Sequence, residues 1–128
     1  MTTYLLDTSV IIDVLNGKLG RDALLRTLLD QGHLLACCCI NITEVYSGMR
    51  ERERQATEQF LYSLDYYEIS REIAAKAGLL KRDWARKGIT LSVSDVTIAA
   101  VATANGLALI TDNARHYPMK EIQIYSFP

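Results

Sequence analysis

The feature that most constrains the fold is a regular alternation of short apolar runs and longer amphipathic segments. The apolar runs have the length of strands, and several segments between them repeat apolar residues with the period of a helix. Strands separated by helices favour a parallel sheet that is covered on both faces. The sequence therefore predicts an α/β fold with strands at 4–6, 34–40, 66–69, 107–110 and 122–125, and helices at 9–15, around 24–29, at 42–49, 51–64 and 96–104, and from about 73 to 88.

The length and charge of the chain limit the classes of function. A chain of 128 residues that is 49% hydrophobic can bury a core without disulfides, which predicts a single domain over residues 1–128. The net charge of −1 gives no support for a broad basic surface, so a phosphate substrate would have to be attracted by something else, such as a metal ion. We see no signal peptide and no membrane-spanning run, and the consecutive cysteines 37–39 fit a strand in a reducing compartment. We therefore expect a cytoplasmic protein without a membrane partner.

Four acidic residues are placed where a parallel sheet binds its ligands, outside the carboxyl ends of the strands. Asp7 directly follows the first strand, Glu44 lies just beyond the second, and Asp112 follows the strand at 107–110. Asp95 begins the helix that leads into that strand, and this helix must run antiparallel to it. We therefore expect four carboxylates from distant parts of the chain to meet at one edge.

Such a cluster needs a compensating cation, because like charges that are held close destabilise the fold. Magnesium and manganese ions prefer carboxylate oxygen and retain several bound waters. A bound ion of this kind can bring a phosphodiester to an acidic surface and activate a water for hydrolysis.

Each acid also has a purely structural interpretation. The segments 41–44 and 92–95 resemble capping boxes, and Asp7 and Asp112 could cap the helix or turn that follows each strand. A cap is worth about 1 kcal/mol and does not require several acids to share one edge. Both interpretations stay open from the residues alone, and one carboxylate can serve both roles.

Four segments resemble the ordered motifs of PIN-domain proteins, above all the VapC-type toxins of bacterial toxin–antitoxin pairs. The first is Leu-Leu-Asp-Thr-Ser-Val-Ile-Ile at 5–12, and the second is Ile-Thr-Glu-Val-Tyr-Ser-Gly at 42–48. The third is Ser-Asp-Val-Thr-Ile-Ala-Ala at 94–100, and the fourth is Leu-Ile-Thr-Asp-Asn at 109–113, followed by Tyr117. Their order and spacing hold over nearly the whole chain, and four motifs in order are far more specific than one.

This resemblance implies a three-layer α/β/α sandwich with a central, mostly parallel five-stranded sheet. It also implies an endoribonuclease that depends on Mg²⁺ or Mn²⁺, with Asp7, Glu44 and Asp95 as the metal-binding acids. Ser9 and Thr111 would orient the carboxylates by hydrogen bonds. Related toxins are homodimers that a small antitoxin protein inhibits by placing its tail in the active-site groove. The function expected from the resemblance is the toxin of a type II toxin–antitoxin system, which cleaves RNA with a metal-activated water.

The fourth motif departs from the usual pattern. The family often has Thr-x-Asp or Thr-x-Asn there, so Asn113 takes the matching position and Asp112 is its neighbour. Either Asp112 supplies a fourth catalytic and metal-binding carboxylate, or the site works with three acids and the amide of Asn113. We predict Asp112 as the fourth acid and Asn113 as an orienting or substrate-binding residue.

Cationic residues near the motifs have two interpretations each. Arg50, Arg52 and Arg54 follow the second motif and either face RNA or form a solvated helix face. His116 takes a position where many relatives carry an acid, and it either contacts a substrate phosphate or lies on a surface turn.

Other functions also fit an α/β chain with acids at strand ends. A PIN-like domain without catalysis would bind RNA or protein but not turn it over. A phosphoacceptor domain needs a pair of acids after the first strand, where this chain has Asp7 alone, and a lysine that only Lys120 loosely matches. A haloacid-type phosphohydrolase needs a second acid within residues 7–9, which is absent.

Overall fold

The computed structural model describes residues 1–125 and 127, so the predicted domain 1–128 includes Ser126 and Pro128, which lie outside the described residues. The described part has five strands, six α-helices and two short 3₁₀ turns. Their bounds are β1 Thr3–Leu6, α1 Thr8–Leu15, α2 Arg21–Asp30, β2 Leu34–Cys38, α3 Cys39–Ser47, a 3₁₀ turn Glu51–Glu53, α4 Arg54–Ser63, β3 Asp65–Tyr67, α5 Arg71–Arg86, α6 Val93–Asn105, β4 Ala108–Ile110, a 3₁₀ turn Ala114–His116 and β5 Gln123–Tyr125.

The strands form one sheet in the order β3-β2-β1-β4-β5, and every neighbouring pair is parallel. β1 lies at the centre, where Leu5 is paired with Ala36 on one side and with Leu109 on the other. The predicted parallel α/β sheet is therefore confirmed. Its central strands consist almost entirely of apolar residues, because helices cover both of their faces.

Two hydrophobic clusters lie on opposite faces of the sheet. Leu5 packs with α6 and with one side of α5, whereas Leu6 packs with α1, α2 and α3. Successive side chains of a strand point to opposite faces, so adjacent leucines enter different clusters. Helix layers above and below the sheet confirm the three-layer α/β/α sandwich.

The second strand is shorter than predicted, and the following helix starts earlier. β2 ends at Cys38, which has an extended backbone and serves as the N-cap of α3. The Asn41 side chain accepts a hydrogen bond from the Cys38 amide (2.8 Å), which fixes the helix start. Segment 41–44, which resembles a capping box in sequence, does not form one here, because Asn41 lies inside the first turn of α3. Cys37 and Cys38 are buried free thiols, and Cys39 is partly exposed.

The C-terminal edge of the sheet is where the functional motifs meet. The Asp7 amide donates to the Ile110 carbonyl (2.9 Å), which continues the pairing of β1 and β4 by one residue. α6 runs back along the sheet before β4, and its first turn therefore lies at this same edge. In the described residues, none of the helices is long and apolar enough to cross a bilayer.

Candidate active site

Asp7 is held rigidly at the end of β1. Its side chain is only 6% exposed, and it caps α1 by accepting a hydrogen bond from the Thr8 amide (2.9 Å). Its second oxygen accepts from the Thr111 hydroxyl (2.7 Å), at the end of β4. Burial raises the pKa of Asp7, and the negative charge of Asp95 raises it further. The hydrogen bonds from Thr111 and Thr8 lower this pKa but do not cancel the effect of burial. Asp7 thus carries a charge that its surroundings only partly stabilise.

Asp95 approaches the same place from α6. Ser92 is the N-cap of this helix and accepts a hydrogen bond from the Asp95 amide (3.0 Å), so the predicted cap is confirmed. The Asp95 carboxylate accepts from the Tyr117 hydroxyl (3.2 Å), and its other oxygen lies 3.4 Å from Nδ1 of His116. The capped backbone therefore fixes Asp95 while its carboxylate faces the segment after β4.

Tyr117 connects the two aspartates. It is buried, and its pKa is raised by burial and then by the negative charges of Asp7 and Asp95. The phenol is therefore a neutral hydrogen-bond donor between two carboxylates that come from distant parts of the chain. Asp7 accepts from Thr111 and Asp95 accepts from Tyr117, and both donors belong to the segment that follows β4, so the two aspartates lie in one site.

Glu44 is tied to this site through Thr8. The Thr8 hydroxyl donates to the Glu44 carboxylate (2.7 Å), while the Thr8 amide donates to Asp7. The amide nitrogen of Asn41 donates to the Thr8 hydroxyl (3.1 Å) and to the Leu6 carbonyl (3.0 Å). A single threonine therefore links two of the predicted acids, and Asn41 holds that threonine.

The predicted orienting residues differ in what they contact. Thr111 donates to Asp7 and accepts from the Asn113 backbone amide (2.9 Å), so Asn113 acts there through its main chain. The Ser9 hydroxyl is buried and has no hydrogen-bond partner among the described residues. A buried hydroxyl without a partner beside an acidic cluster has unused capacity for a bound group.

Asp112 has a different partner from those of the other predicted acids. Its carboxylate forms an ion pair with the Arg21 guanidinium (2.5 Å), and the two side chains are 27% and 15% exposed. The Arg21 guanidinium also lies 3.5 Å from the centre of the Phe127 ring. Asp112 therefore joins the loop after β4 to the start of α2.

A family model described as PIN domain matches residues 4–122. This chain belongs to the PIN-domain family. It is 31% identical to "Ribonuclease VapC19" of Mycobacterium tuberculosis over 90% of its own length and 92% of that protein. It is also 33% identical to "Ribonuclease VapC10" of the same species, over 91% of its own length and 87% of that protein. Among solved structures, it resembles VapBC2 from Rickettsia felis bound to a promoter DNA fragment, with a TM-score of 0.82, 22% identity and coverage of 97% and 98% of the two chains.

The donor chemistry of this PIN domain fits a hard divalent cation. Asp7, Glu44 and Asp95 provide carboxylate oxygens at the C-terminal edge of the sheet. Ser9 adds a buried hydroxyl that has no hydrogen-bond partner among the described residues. Within residues 1–125 and 127, no three His, Cys, Asp or Glu side chains are already arranged to hold an ion. Each acid instead accepts hydrogen bonds from the protein. Ions that retain water ligands can bind such carboxylates through only one or two direct contacts.

The hydrogen-bonding roles of three residues of this site were not predicted from the PIN-domain motifs. Thr8 adjoins Asp7 in the first motif, and its position there is the only sequence signal for its role. Asn41 is a polar residue at the end of an apolar run, which is a signal for a buried hydrogen-bonded amide. The hydroxyl of Tyr117 has no sequence signal, because a buried aromatic ring is explained by packing alone.

Proposed function

We propose that this PIN domain is a metal-dependent endoribonuclease and the toxin of a type II toxin–antitoxin pair. The observation that carries the proposal is the set of hydrogen bonds that holds three acids at one edge of the sheet: Thr8 donates to both Asp7 and Glu44, and Tyr117 donates to Asp95. Two carboxylates held close in a folded protein indicate a binding site for a compensating cation. Relatives at 31% and 33% identity that are named ribonucleases support the reaction class.

Asp7, Glu44 and Asp95 would hold Mg²⁺ or Mn²⁺ in this proposal. When bound, the ion would supply an activated water and stabilise negative charge on the phosphate and the leaving oxygen. The fourth acid expected from the sequence, Asp112, is left out of this ligand set, because Arg21 would first have to release its carboxylate.

The remaining side chains orient the acids. Thr111 and Thr8 hold both oxygens of Asp7, and Thr8 also holds Glu44. Tyr117 holds Asp95 and stays neutral, so it donates rather than adds a third negative charge. Fixed carboxylates lose little entropy when an ion binds, which favours binding at a preorganised site.

The proposed partners of this chain rest on its similarity to toxin–antitoxin proteins. The structural neighbours include a protein described as "Toxin-antitoxin complex from Klebsiella pneumoniae", with a TM-score of 0.76 and 23% identity. We infer a small antitoxin protein that covers the active-site groove, a homodimeric toxin and a cytoplasmic location. Copurification of a small protein with this chain from its own host would support the antitoxin.

The proposal is tested by cleavage of a labelled RNA in Mg²⁺ and in EDTA. We expect cleavage in Mg²⁺ alone, and a loss of about 100-fold or more in Asp7→Asn and Asp95→Asn, in the range found when one stabilising group is removed from an active site. Asp30→Asn is the matched control, because Asp30 is exposed at the end of α2, at the opposite edge of the sheet. Cleavage that persists in EDTA or in both active-site variants would contradict the proposal.

A PIN domain without catalysis gives a different result in the same experiment. It would bind RNA without cleaving it, and Asp7→Asn would leave binding unchanged. Three linked acids argue against this alternative, because hydrogen bonds that hold several carboxylates together are not needed for binding alone.

A further inference from the structure

Positive charge is concentrated in one short segment of this acidic chain. Residues 81–87, called here the basic segment, contain Lys81, Arg82, Arg86 and Lys87 against the single acid Asp83. The chain as a whole has a net charge of −1, so the remainder is clearly acidic. A local cationic surface can attract phosphate even where the overall charge does not.

The basic segment lies at the end of the molecule that carries Asp95. It forms the last turns of α5, which ends in a turn where the Ile89 amide donates to the Trp84 carbonyl (3.0 Å). The Lys81 ammonium donates to the Leu91 carbonyl, one residue before the N-cap of α6. Packed helices lie roughly 8–10 Å apart between axes, so the basic segment and the first turn of α6 are neighbours.

The cations at the end of this segment are available to a ligand. Arg86 and Lys87 are exposed, and no carboxylate of the described chain lies within ion-pair distance of either; the Lys87 ammonium lies 4.5 Å from the centre of the Trp84 ring, a contact that leaves its charge uncompensated. By contrast, Arg54 near the second motif is paired with both Glu51 and Glu58. Arg86 and Lys87 therefore offer phosphate a positive charge that Arg54 does not.

Part of this charge has a structural explanation. Cations in the last turn of a helix interact favourably with the helix dipole, but this effect is confined to that turn. Lys81 and Arg82 lie more than one turn before the end of α5, where Lys81 binds the Leu91 carbonyl and Arg82 pairs with Asp83 (3.1 Å), so Arg86 and Lys87 are the cations of this segment that remain for a ligand.

We propose that the basic segment binds the backbone phosphates of single-stranded RNA next to the acidic site. This inference rests on the proposed nuclease function and assigns a surface for its substrate. An acidic site repels an RNA strand except where a cation compensates it, so binding energy from a neighbouring basic surface would hold the strand in place.

The test is the salt dependence of RNA binding by the double variant Arg86→Ala/Lys87→Ala. Binding of a fluorescent single-stranded RNA is measured by anisotropy immediately after mixing, in the Asp7→Asn background and in EDTA. We expect several-fold weaker binding, and a slope of log affinity against log salt that falls by about 1.4, or about 0.7 for each lost phosphate contact.

The matched control is Arg71→Ala/Lys76→Ala, which removes two exposed cations from the same helix near its other end. An unchanged salt slope in Arg86→Ala/Lys87→Ala would overturn the proposed surface, as would an equal fall in both double variants. A lack of RNA binding by the Asp7→Asn parent would also overturn it. RNA cleavage is measured separately. Cleavage together with an unchanged salt slope would overturn only the basic surface, whereas RNA binding without cleavage would overturn the proposed nuclease function.

Discussion

Asp7 combines a structural role and a chemical one in a single carboxylate. One oxygen caps α1 and the other binds Thr111, so the fold fixes the group while burial makes its charge costly. The two interpretations of this acid, cap or ligand, are therefore compatible. The sequence could predict the position of Asp7 because it follows a strand directly. It could not predict the strength of its burial, which depends on the segment around Tyr117.

The raised pKa of Asp7 predicts how pH changes stability. Its pKa is raised from the model-peptide value of 3.8, first by burial and then by Asp95, so the folded chain binds this proton more tightly than the unfolded chain. The contribution of this group to stability is complete below the unfolded pKa and is lost as pH rises through the folded pKa. We expect Asp7→Asn to raise the Tm by a few degrees at pH 7 in EDTA and to give no such gain near pH 3.8.

Thermal unfolding at both pH values measures this effect, with Asp30→Asn at an exposed position as the control for the removal of one negative charge. A lower Tm of Asp7→Asn than of the unmodified chain at pH 7 would contradict the electrostatic account of Asp7.

Asp112 is predicted to matter for stability more than for metal binding. In Asp112→Asn the largely buried Arg21 loses its charged partner, which we expect to cost about 1–3 kcal/mol. The half-saturating Mg²⁺ concentration for RNA cleavage should stay unchanged, because Arg21 already holds this carboxylate. Urea unfolding and a Mg²⁺ titration separate the two effects. A rise of about tenfold in half-saturating Mg²⁺ would instead identify Asp112 as a ligand, in the range seen when metal-site residues are altered.

Among the elements, most strands and helices could be predicted from periodicity, and the junction of β2 and α3 could not. The apolar run from Leu34 continues through Cys39 and Ile40, so hydrophobicity alone extends the strand too far. The break is set by Asn41, whose side chain reaches back to the Cys38 amide and across to Leu6. The contact with Leu6 is tertiary, so hydrophobic periodicity alone could not place the helix start.

The junction is expected to be sensitive to Asn41. Asn41→Ala removes three hydrogen bonds and leaves the buried Cys38 amide and Leu6 carbonyl without this partner, which should cost about 2–4 kcal/mol. Urea denaturation measures the loss, and Asn105→Ala at the exposed end of α6 serves as the control. A cost below about 1 kcal/mol would show that the junction does not depend on this amide.

For the whole molecule, the parallel sheet explains why motifs that are distant in sequence form one site. All five strands point the same way, so the residues that follow β1, β2 and β4 share an edge, and α6 brings Asp95 back to it. This convergence could be predicted from element order and strand direction. The hydrogen-bonded links through Thr8 and Tyr117 could not, because they depend on side-chain positions that no sequence period encodes.

The central claim is that Asp7, Glu44 and Asp95 converge tightly enough to hold one divalent cation. The most direct measurement is the anomalous scattering of Mn²⁺ in crystals of this chain. We predict a peak at direct ligand distance, about 2.0–2.3 Å, from at least one oxygen each of Asp7 and Asp95, and no such peak in Asp7→Asn crystals. A peak that contacts neither aspartate, or no peak at saturating Mn²⁺, would contradict the claim.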